Sequence, residues 1–163
     1  MTAITDAGPL RYLILIEESE LLMRLYARLI IPIAVLKELS QPNTPPQVVS
    51  WIKNPPDWLE AKAASISEES FPATLGEGER EAIMLAEMMN ADALLIDDGA
   101  ARREARRRQL PVQGTLGVLA TAAELDLVNL PDAIQRLRHT NFRVSERLLQ
   151  TFLEKDAARQ IRR

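Results

Sequence analysis

Residues 93–99 read Ala-Leu-Leu-Ile-Asp-Asp-Gly, an apolar run followed at once by two carboxylates and a glycine. A short continuous apolar run bounded by turn residues is typical of a strand buried on both faces of a parallel sheet. In open α/β sheets, ligands bind beyond the carboxyl ends of the strands. The stretch therefore predicts a buried parallel strand over 93–96 and a functional position at Asp97 or Asp98.

Helical segments are predicted on both sides of this strand. Upstream, residues 76–79 (Gly-Glu-Gly-Glu) open a helix, and an acidic first turn suits the helix dipole. Downstream, a second helix is predicted from Ala100 to about Gln109. Strands that alternate with helices in this way indicate an α/β domain with a parallel, doubly wound sheet.

The same alternation extends to the rest of the chain. A first strand over residues 3–5 ends at Asp6, and Gly8-Pro9 marks the turn into two successive helices. A second strand over residues 29–31 is closed by Pro32 and followed by a helix that carries Glu38. Further predicted elements are a helix over 48–53, strands over 58–61 and 111–113, a polar connection over 65–74, a helix over 116–125 and a helical C-terminal third.

Carboxylates stand at several of the predicted strand ends. Asp6 follows the first strand and Asp97-Asp98 follow the fourth, while Glu38 and Glu79 lie on helices next to them. Like charges at close range repel, so a convergent cluster is costly unless a cation neutralises it. Oxygen-only ligands favour a hard divalent ion, and we expect Mg²⁺ or Mn²⁺ to bind here.

Each acid also has a purely structural interpretation. Asp6 could cap the helix that follows it, and Asp97-Asp98-Gly99 could form a turn with a helix cap. Glutamates 77, 79 and 81 could serve only to favour a helix N-terminus. Asp97 or Asp98 could also be the phosphorylated residue of a phosphoacceptor domain. This function is disfavoured because the sequence has no clear lysine after a late strand.

Composition excludes several chemistries. There are no cysteines, which removes disulfides, zinc knuckles and thiol nucleophiles and fits a reducing cytosol. His139 is the single histidine, so no two-histidine metal site can form, and its Arg-rich surroundings indicate a surface position. Neither a secretory signal nor an apolar run long enough to span a bilayer is visible. We expect a cytoplasmic protein of one domain with no membrane contact.

Charge is distributed unevenly along the chain. Residues 1–98 carry a net charge of −9, whereas residues 99–163 carry +6. Five arginines in the helix after the fourth strand could bind the phosphates of a ligand, or could form a solvated face with Glu104 as partner. The C-terminal cations are expected to be solvated: Lys155, Arg159, Arg162 and Arg163. Aromatic residues make up only 4% of the chain, so base stacking is not expected to be a major contribution.

These motifs, taken in order, resemble the PIN domain. The resemblance covers about residues 2–150, nearly the whole chain. The segments that carry it are Thr5-Asp6-Ala7-Gly8-Pro9-Leu10, Ile31-Pro32 followed by Glu38-Leu39, Leu75-Gly76-Glu77-Gly78-Glu79-Arg80-Glu81-Ala82-Ile83, residues 94–102 and residues 114–119.

The resemblance implies a three-layer α/β/α fold and a nuclease site that binds Mg²⁺ or Mn²⁺ and cuts RNA. Many small members are ribonuclease toxins, so a cognate antitoxin protein is an expected partner. Asp6 matches the first family acid and Glu38 the second; Glu79, with Glu81 as the competing choice, matches the third. The fourth is Asp97 or Asp98, which spacing does not separate. Thr115 falls where the family often has a hydroxyl near the site.

Two positions depart from the family pattern. Ala7 and Gly8 stand where members usually have small hydroxyl or amide residues, and the third acid is Glu rather than the commoner Asp. These departures favour a rival hypothesis, a catalytically silent PIN fold that binds nucleic acid or protein. We assign residues 1–150 to the PIN-like domain and 151–163 to the end of its last helix. The apolar residues Leu22, Met23, Tyr26 and Leu36 could serve a homodimer or an antitoxin, although core packing is their expected use.

Overall fold

The predicted apolar runs form five short strands in a computed structural model, which describes residues 1–65 and 71–163. The strands are β1 (Thr2–Thr5), β2 (Arg28–Pro32), β3 (Leu59–Lys62), β4 (Ala93–Leu95) and β5 (Val112–Gln113). Every neighbouring pair is parallel, and the order across the sheet is β3-β2-β1-β4-β5. The parallel sheet predicted from the sequence is confirmed.

Helices cover both faces of this sheet. They are α1 (Ala7–Leu15), α2 (Leu21–Leu25), α3 (Ile33–Glu38), α4 (Pro46–Lys53), α5 (Glu77–Met88), α6 (Gly99–Arg107), α7 (Thr115–Glu124), α8 (Leu130–Arg138) and α9 (Glu146–Ile161). Side chains of α5 and α6 pack on one face, whereas α1, α4, α7, α8 and α9 contribute to the core on the other. The three-layer α/β/α arrangement is confirmed.

Alternate residues of the central strands pack into two separate hydrophobic cores, one on each face of the sheet. Ala3, Ile31 and Leu95 face the larger core on the α1 and α7 side. Ile4 and Leu94 face the smaller core under α5 and α6. Successive side chains of a strand point to opposite faces, so a strand covered on both sides must be apolar throughout. This explains why the run at residues 93–96 has no polar alternation.

The connections run outward from the centre of the sheet in opposite directions. From β1 the chain passes through α1 and α2 to β2, while from β4 it passes through α6 to β5. Right-handed crossovers in opposite directions require helices on opposite faces. The topological switch point therefore lies between β1 and β4, where ligands bind in sheets of this kind. Thr5 pairs with Leu95, so Asp6 and Asp97 leave the sheet side by side.

Four helices end on a non-glycine residue with left-handed backbone. These residues are Glu17 (φ 61°), Asn90 (φ 49°), Gln109 (φ 61°) and Asp126 (φ 58°), which follow α1, α5, α6 and α7. After α6, for example, the Leu110 amide donates to the Ala105 carbonyl at 3.0 Å, which closes the helix end. Left-handed backbone costs roughly 1–2 kcal/mol for a residue with a Cβ. Each of these four helix ends therefore contains a residue in an unfavourable backbone conformation.

Several side-chain predictions can be compared with the structure. Leu22 and Tyr26 are buried, which confirms core packing for both, whereas the side chain of Met23 is exposed. His139 is exposed, as predicted. Residues 66–70 of the predicted polar connection lie outside the described residues. Within the part of the chain that is described, no helix has both the length and the apolar character needed to cross a membrane.

Candidate active site

Asp6 lies directly after β1 and is the N-terminal cap residue of α1. Its main-chain amide donates to the Leu95 carbonyl at 2.8 Å, which ties it to the end of β4. Its side chain is only 6% exposed and makes no capping hydrogen bond, and Oδ1 is buried without a hydrogen-bond partner. Buried polar atoms without a partner are rare and costly. The capping interpretation therefore does not account for this carboxylate.

The electrostatic surroundings of Asp6 are unfavourable to its charged form. Burial raises the pKa of Asp6 from 3.8 to about 7. The main-chain amide of Ala7 opposes this rise in pKa, and the like charges of Glu79, Glu38 and Asp97 add to it. Asp6 thus shares one electrostatic environment with three of the acids selected from the sequence.

Glu38 and Glu79 line the same cleft as Asp6, a space of about 530 Å³ at the carboxyl end of the sheet. Glu79 accepts a hydrogen bond from the Gly76 amide at 2.9 Å, as the helix-start interpretation predicted. Burial raises the pKa of Glu79 nevertheless, and the charges of Asp98 and Glu38 raise it further. A Cβ on Gly78 would stand 3.1 Å from Glu38 Oε2, so the glycine allows Glu38 to lie against α5.

Glu81, the competing choice for the third acid, is engaged elsewhere. Its two carboxyl oxygens accept from the main-chain amides of Ala34 and Ala64, each at 3.3 Å. Glu81 thus joins the first turn of α3 to the segment after β3. The structure places Glu79, and not Glu81, in the cleft with Asp6.

Asp97 and Asp98, which spacing could not separate, occupy different environments. Asp97 accepts two hydrogen bonds from Thr115, one from the amide at 2.8 Å and one from the hydroxyl at 2.6 Å. Asp98 is exposed and caps α6 by accepting from the Ala101 amide at 2.9 Å. Asp97 therefore lies close enough to act on Asp6, while Asp98 caps α6, as the structural interpretation predicted, and its charge acts on Glu79.

The approach of Asp97 to α1 accounts for one departure from the family pattern. A Cβ on Gly8 would stand 3.1 Å from Asp97 Oδ2, closer than most real contacts. Burial raises the pKa of Asp97, while the Thr115 hydroxyl, the Thr115 amide and Arg102 lower it. Thr115 thus supplies hydrogen bonds at this site, and the absence of a side chain at Gly8 provides the space.

The fit of a divalent cation can be judged from these contacts. In residues 1–65 and 71–163, no three acidic or histidine side chains stand close enough together to chelate an ion as they are placed. The acidic side chains offer only oxygen donors, and Asp6 Oδ1 has no partner near three like charges in a cleft that Lys37 also lines. A cation would satisfy that oxygen and offset the repulsion. The donor chemistry therefore suits a hard divalent cation.

The arginines of α6 do not form one free face. Glu104 is buried and binds both Arg107 (2.6 Å) and Arg108 (2.8 Å), so the ion-pair interpretation holds for these two. Arg102 lies beside Asp97 and donates to the Ile96 carbonyl at 3.4 Å. Only Arg103 and Arg106 are exposed and make no ion pair with a described residue. The expectation of a broad basic face is therefore reduced to this pair and Arg102.

The C-terminal cations are less free than the sequence indicated. Arg159 pairs with Asp156 at 2.9 Å and with Asp126 at 3.5 Å. Arg163 pairs with Asp126 at 2.6 Å. Arg159 is therefore held in two ion pairs and is not a free solvated cation, whereas Arg163 stays half exposed while it pairs with the acid that follows α7.

A second groove of about 300 Å³ adjoins Asp97 and was not predicted. Its walls include Phe142, Arg143 and Phe152, which come from the turn before α9 and from α9 itself. These residues form no motif and are separated from Asp97 by several helices, so only the tertiary fold reveals that they lie together.

Comparison with known families identifies the class of protein to which this fold, with its acidic residues between β1 and β4, belongs. Residues 2–157 match the PIN-domain family. The chain therefore belongs to the PIN-domain family, as the motifs predicted. PIN domains are generally nucleases, and they generally use divalent metal ions.

Similar folds exist among solved structures. One is a PilT N-terminus domain protein from the hyperthermophilic archaeon Sulfolobus solfataricus P2, with a TM-score of 0.56 and 17% identity. The alignment covers 75% of this chain and 93% of that one. At this identity the likeness supports the fold alone. Comparison with curated proteins finds no match.

Proposed function

We propose that the protein is a Mg²⁺- or Mn²⁺-dependent endoribonuclease with its active site at the β1–β4 switch point. The observation that carries this proposal is the buried, unpartnered Oδ1 of Asp6 in the field of Glu38, Glu79 and Asp97. An arrangement that is costly for the empty protein becomes favourable when a cation is present. Membership of a family of nucleases makes phosphodiester hydrolysis the matching reaction.

The residues take distinct roles in this proposal. Asp6, Glu38, Glu79 and Asp97 would hold the cation, while Thr115 fixes the orientation of Asp97 through two hydrogen bonds. The bound ion would polarise a phosphoryl oxygen and activate a water. Near neutral pH the Asp6 carboxyl is divided between its protonated and ionised forms, because its pKa is about 7. Asp98 holds the start of α6 beside the site.

The proposed substrate is RNA held by its phosphates. Arg102, Arg103 and Arg106 lie on α6, which begins directly after Asp97 and Asp98. Cations at this place can bind a phosphate chain that reaches the carboxylates, and phosphate contacts position a nucleic acid without reading its bases.

Metal-dependent cleavage of a single-stranded RNA tests the proposal. We expect cleavage to require Mn²⁺ or Mg²⁺ and to fall at least about a hundredfold in Asp6→Asn, since a metal ligand is lost. The matched control is Asp57→Asn, an exposed aspartate that precedes β3 at the opposite end of the strands. Equal cleavage by the two variants, or cleavage that resists a chelator, would refute the assignment.

The biological role proposed for this nuclease is the toxin of a toxin–antitoxin pair in the cytoplasm. The support is the resemblance to the small PIN-domain proteins, many of which are ribonuclease toxins. Expression of the protein should then arrest growth, and co-expression of a small protein encoded beside it should restore growth. Asp6→Asn should be harmless without that partner. Growth arrest by the variant as well would separate toxicity from the proposed active site.

A silent PIN fold that binds nucleic acid or protein is the alternative. It is favoured by one observation, that no three carboxylates among the described residues are close enough to chelate an ion. Calorimetry with Mn²⁺ discriminates between the two, because an ion that binds only the folded state raises the melting temperature. A nuclease should respond and Asp6→Asn should respond much less; a silent fold should show the same small response in both.

A further inference from the structure

We propose that the groove beside Asp97 is a subsite that stacks one unpaired nucleobase of the RNA substrate. The groove measures about 300 Å³, which is the lower end of the range for small-ligand pockets and suits one base better than a larger ligand. Phe142, Phe152 and Leu148 supply its apolar wall, while Arg102 and Arg143 supply positive charge. This inference rests on the proposed nuclease function, since it assigns part of the same substrate.

Two glycines keep the groove open. A Cβ on Gly114 would collide with the Arg102 guanidinium and stand 2.9 Å from Asp97 Oδ1. A Cβ on Gly117 would stand 2.7 Å from Gln113 Cγ. The absence of a side chain at Gly114 leaves room for Arg102 to lie beside Asp97 in the wall of the groove.

Charge and continuity favour a nucleic acid as the occupant. Asp97 belongs both to the electrostatic environment of Asp6 and to the lining of the groove, so a strand that reaches the carboxylates passes this opening. Arg102 on the Asp97 side and Arg143 on the exposed side could each bind a phosphate that flanks the stacked base. An aromatic wall with arginines beside it is the combination that proteins use for single strands.

The polar groups of the groove indicate little discrimination between bases. The Gln113 side chain is already engaged, because it accepts from the Tyr26 hydroxyl at 2.8 Å and donates to the Thr121 hydroxyl at 2.8 Å. It is therefore not available to read a base edge, and stacking tolerates every base. The low aromatic content had indicated that stacking would be minor, yet two of the three phenylalanines in the chain line this groove.

An abasic scan of a short single-stranded RNA tests the subsite. Binding is measured by fluorescence polarisation in an Asp6→Asn background, so that cleavage does not interfere. We expect one abasic position to weaken binding about five- to hundredfold, the range for loss of one stacked base. The same position should have little effect once Phe152→Leu is added, since leucine keeps the apolar contact but has no ring.

A second variant tests the groove without disturbing the core. Leu148 is 45% exposed, so Leu148→Glu should fold normally while placing a negative charge beside the bound strand. The matched control is Leu125→Glu, at a leucine that is 59% exposed and outside the groove. We expect RNA affinity to fall at least about fivefold in the first and to stay within about twofold in the second. Equal effects would overturn the proposal.

Arg143 provides a third readout. Arg143→Gln should reduce the slope of log affinity against log salt by about 0.7, the value for one phosphate contact on a single strand. Arg147→Gln, an exposed arginine outside the groove, should leave the slope unchanged. An unchanged slope for both would contradict the placement of a phosphate at Arg143.

Failure of this subsite differs from failure of the nuclease proposal. If cleavage depends on Asp6 and the metal but no abasic position responds to Phe152→Leu, the subsite is refuted and the nuclease stands. If the abasic scan gives the expected coupling but no cleavage occurs with any metal, the groove binds a base and the nuclease assignment fails.

Discussion

Two groups of charged residues flank the end of β4, and they differ in how their charges are compensated. On α6, the buried Glu104 binds Arg107 and Arg108, and Arg108 also binds Glu87 at 3.0 Å. These contacts lower the pKa of Glu104 to about 2. In the acidic cleft, the pKa of Asp6 is instead raised to about 7 and one of its oxygens has no partner.

The difference separates a structural role from a functional one. Charges that are paired within the protein stabilise the fold and interact only weakly with a charged ligand. Charges held together without compensation destabilise the empty protein but gain from a cation or a proton. By this criterion α6 contains both kinds. Arg107 and Arg108 are compensated by Glu104, and Arg102 lies beside Asp97, whereas Arg103 and Arg106 are available to an anion.

The largest effect is expected from breaking the compensated group. Glu104→Gln should lower the free energy of unfolding by about 3 kcal/mol, because it removes the buried carboxylate that binds both Arg107 and Arg108. For a chain of this length that corresponds to a fall of about 6–12 °C in melting temperature. Glu124→Gln, at an exposed glutamate on α7, should change stability by less than about 0.5 kcal/mol. Similar melting temperatures for the two variants would show that the cluster is not structural.

The pH dependence of this effect has a definite sign. The folded-state pKa of Glu104 is below its ordinary value of 4.5, so the ion pairs contribute stability above that value. The contribution is lost as pH falls from about 5 toward 2. Thermal melts from pH 7 to pH 2 should therefore bring wild type and Glu104→Gln together at the acid end.

The opposite sign is expected in the acidic cleft. Because burial raises the folded-state pKa of Asp6, its ionisation opposes folding, and metal-free stability should fall as pH rises from about 4 through 7. Asp6→Asn should remove this loss and be more stable than wild type by about 2 kcal/mol at pH 8 without metal. The two should melt alike near pH 4. A variant that is less stable at pH 8 would contradict the uncompensated character of the cleft.

A smaller effect should distinguish the two kinds of arginine on α6. Replacing Arg103 and Arg106 together by Gln should flatten the salt dependence of RNA binding by about 1.4, which is two contacts of about 0.7 each. Arg107→Gln should change the slope much less, since Glu104 already binds that guanidinium at 2.6 Å. Filter binding in the Asp6→Asn background measures both. If the salt dependence is the same for the background protein, the double variant and Arg107→Gln, then the arginines of α6 do not contact RNA.

The smallest effect concerns the backbone where α6 ends. Gln109 has a φ of 61°, a conformation that glycine adopts without penalty. Gln109→Gly should raise the free energy of unfolding by about 0.5 kcal/mol, the net of relieved strain and greater unfolded-chain entropy. Gln150→Gly, at an exposed position inside α9, should instead lower it by about 1 kcal/mol. Chemical denaturation resolves both changes, and a loss of stability in Gln109→Gly would show that the left-handed turn carries no strain.

Much of the fold could be predicted because its signals are local. The apolar run at residues 93–96 and the acids after it identify a central parallel strand without any tertiary information. The ends of α6 and α7 lie within two residues of their predicted positions, although Gln109 and Asp126, and not glycine, adopt the left-handed backbone that follows them.

The candidate site was predicted in outline but not in detail. Glu79 and Glu81 are two residues apart on one helix, and only the position of the Ala34 and Ala64 amides shows which one faces away. Likewise, Thr115 separates Asp97 from Asp98, a contact between residues distant in sequence. The groove was missed for the same reason, because no local pattern marks Phe142 as a neighbour of Asp97.

Because β1 lies at the centre of the sheet, its two edges are paired at different times during synthesis. β1 is made first, yet one of its edges pairs with β4 and Asp6 is held there by the Leu95 carbonyl. During synthesis β1 can pair with β2 early, but its other edge stays unpaired until β4 has left the ribosome. The orientation of Asp97 is fixed later still, when Thr115 has been synthesised and donates its two hydrogen bonds. A nascent fragment that ends before Thr115 contains the four acids but lacks the amide and the hydroxyl that orient Asp97.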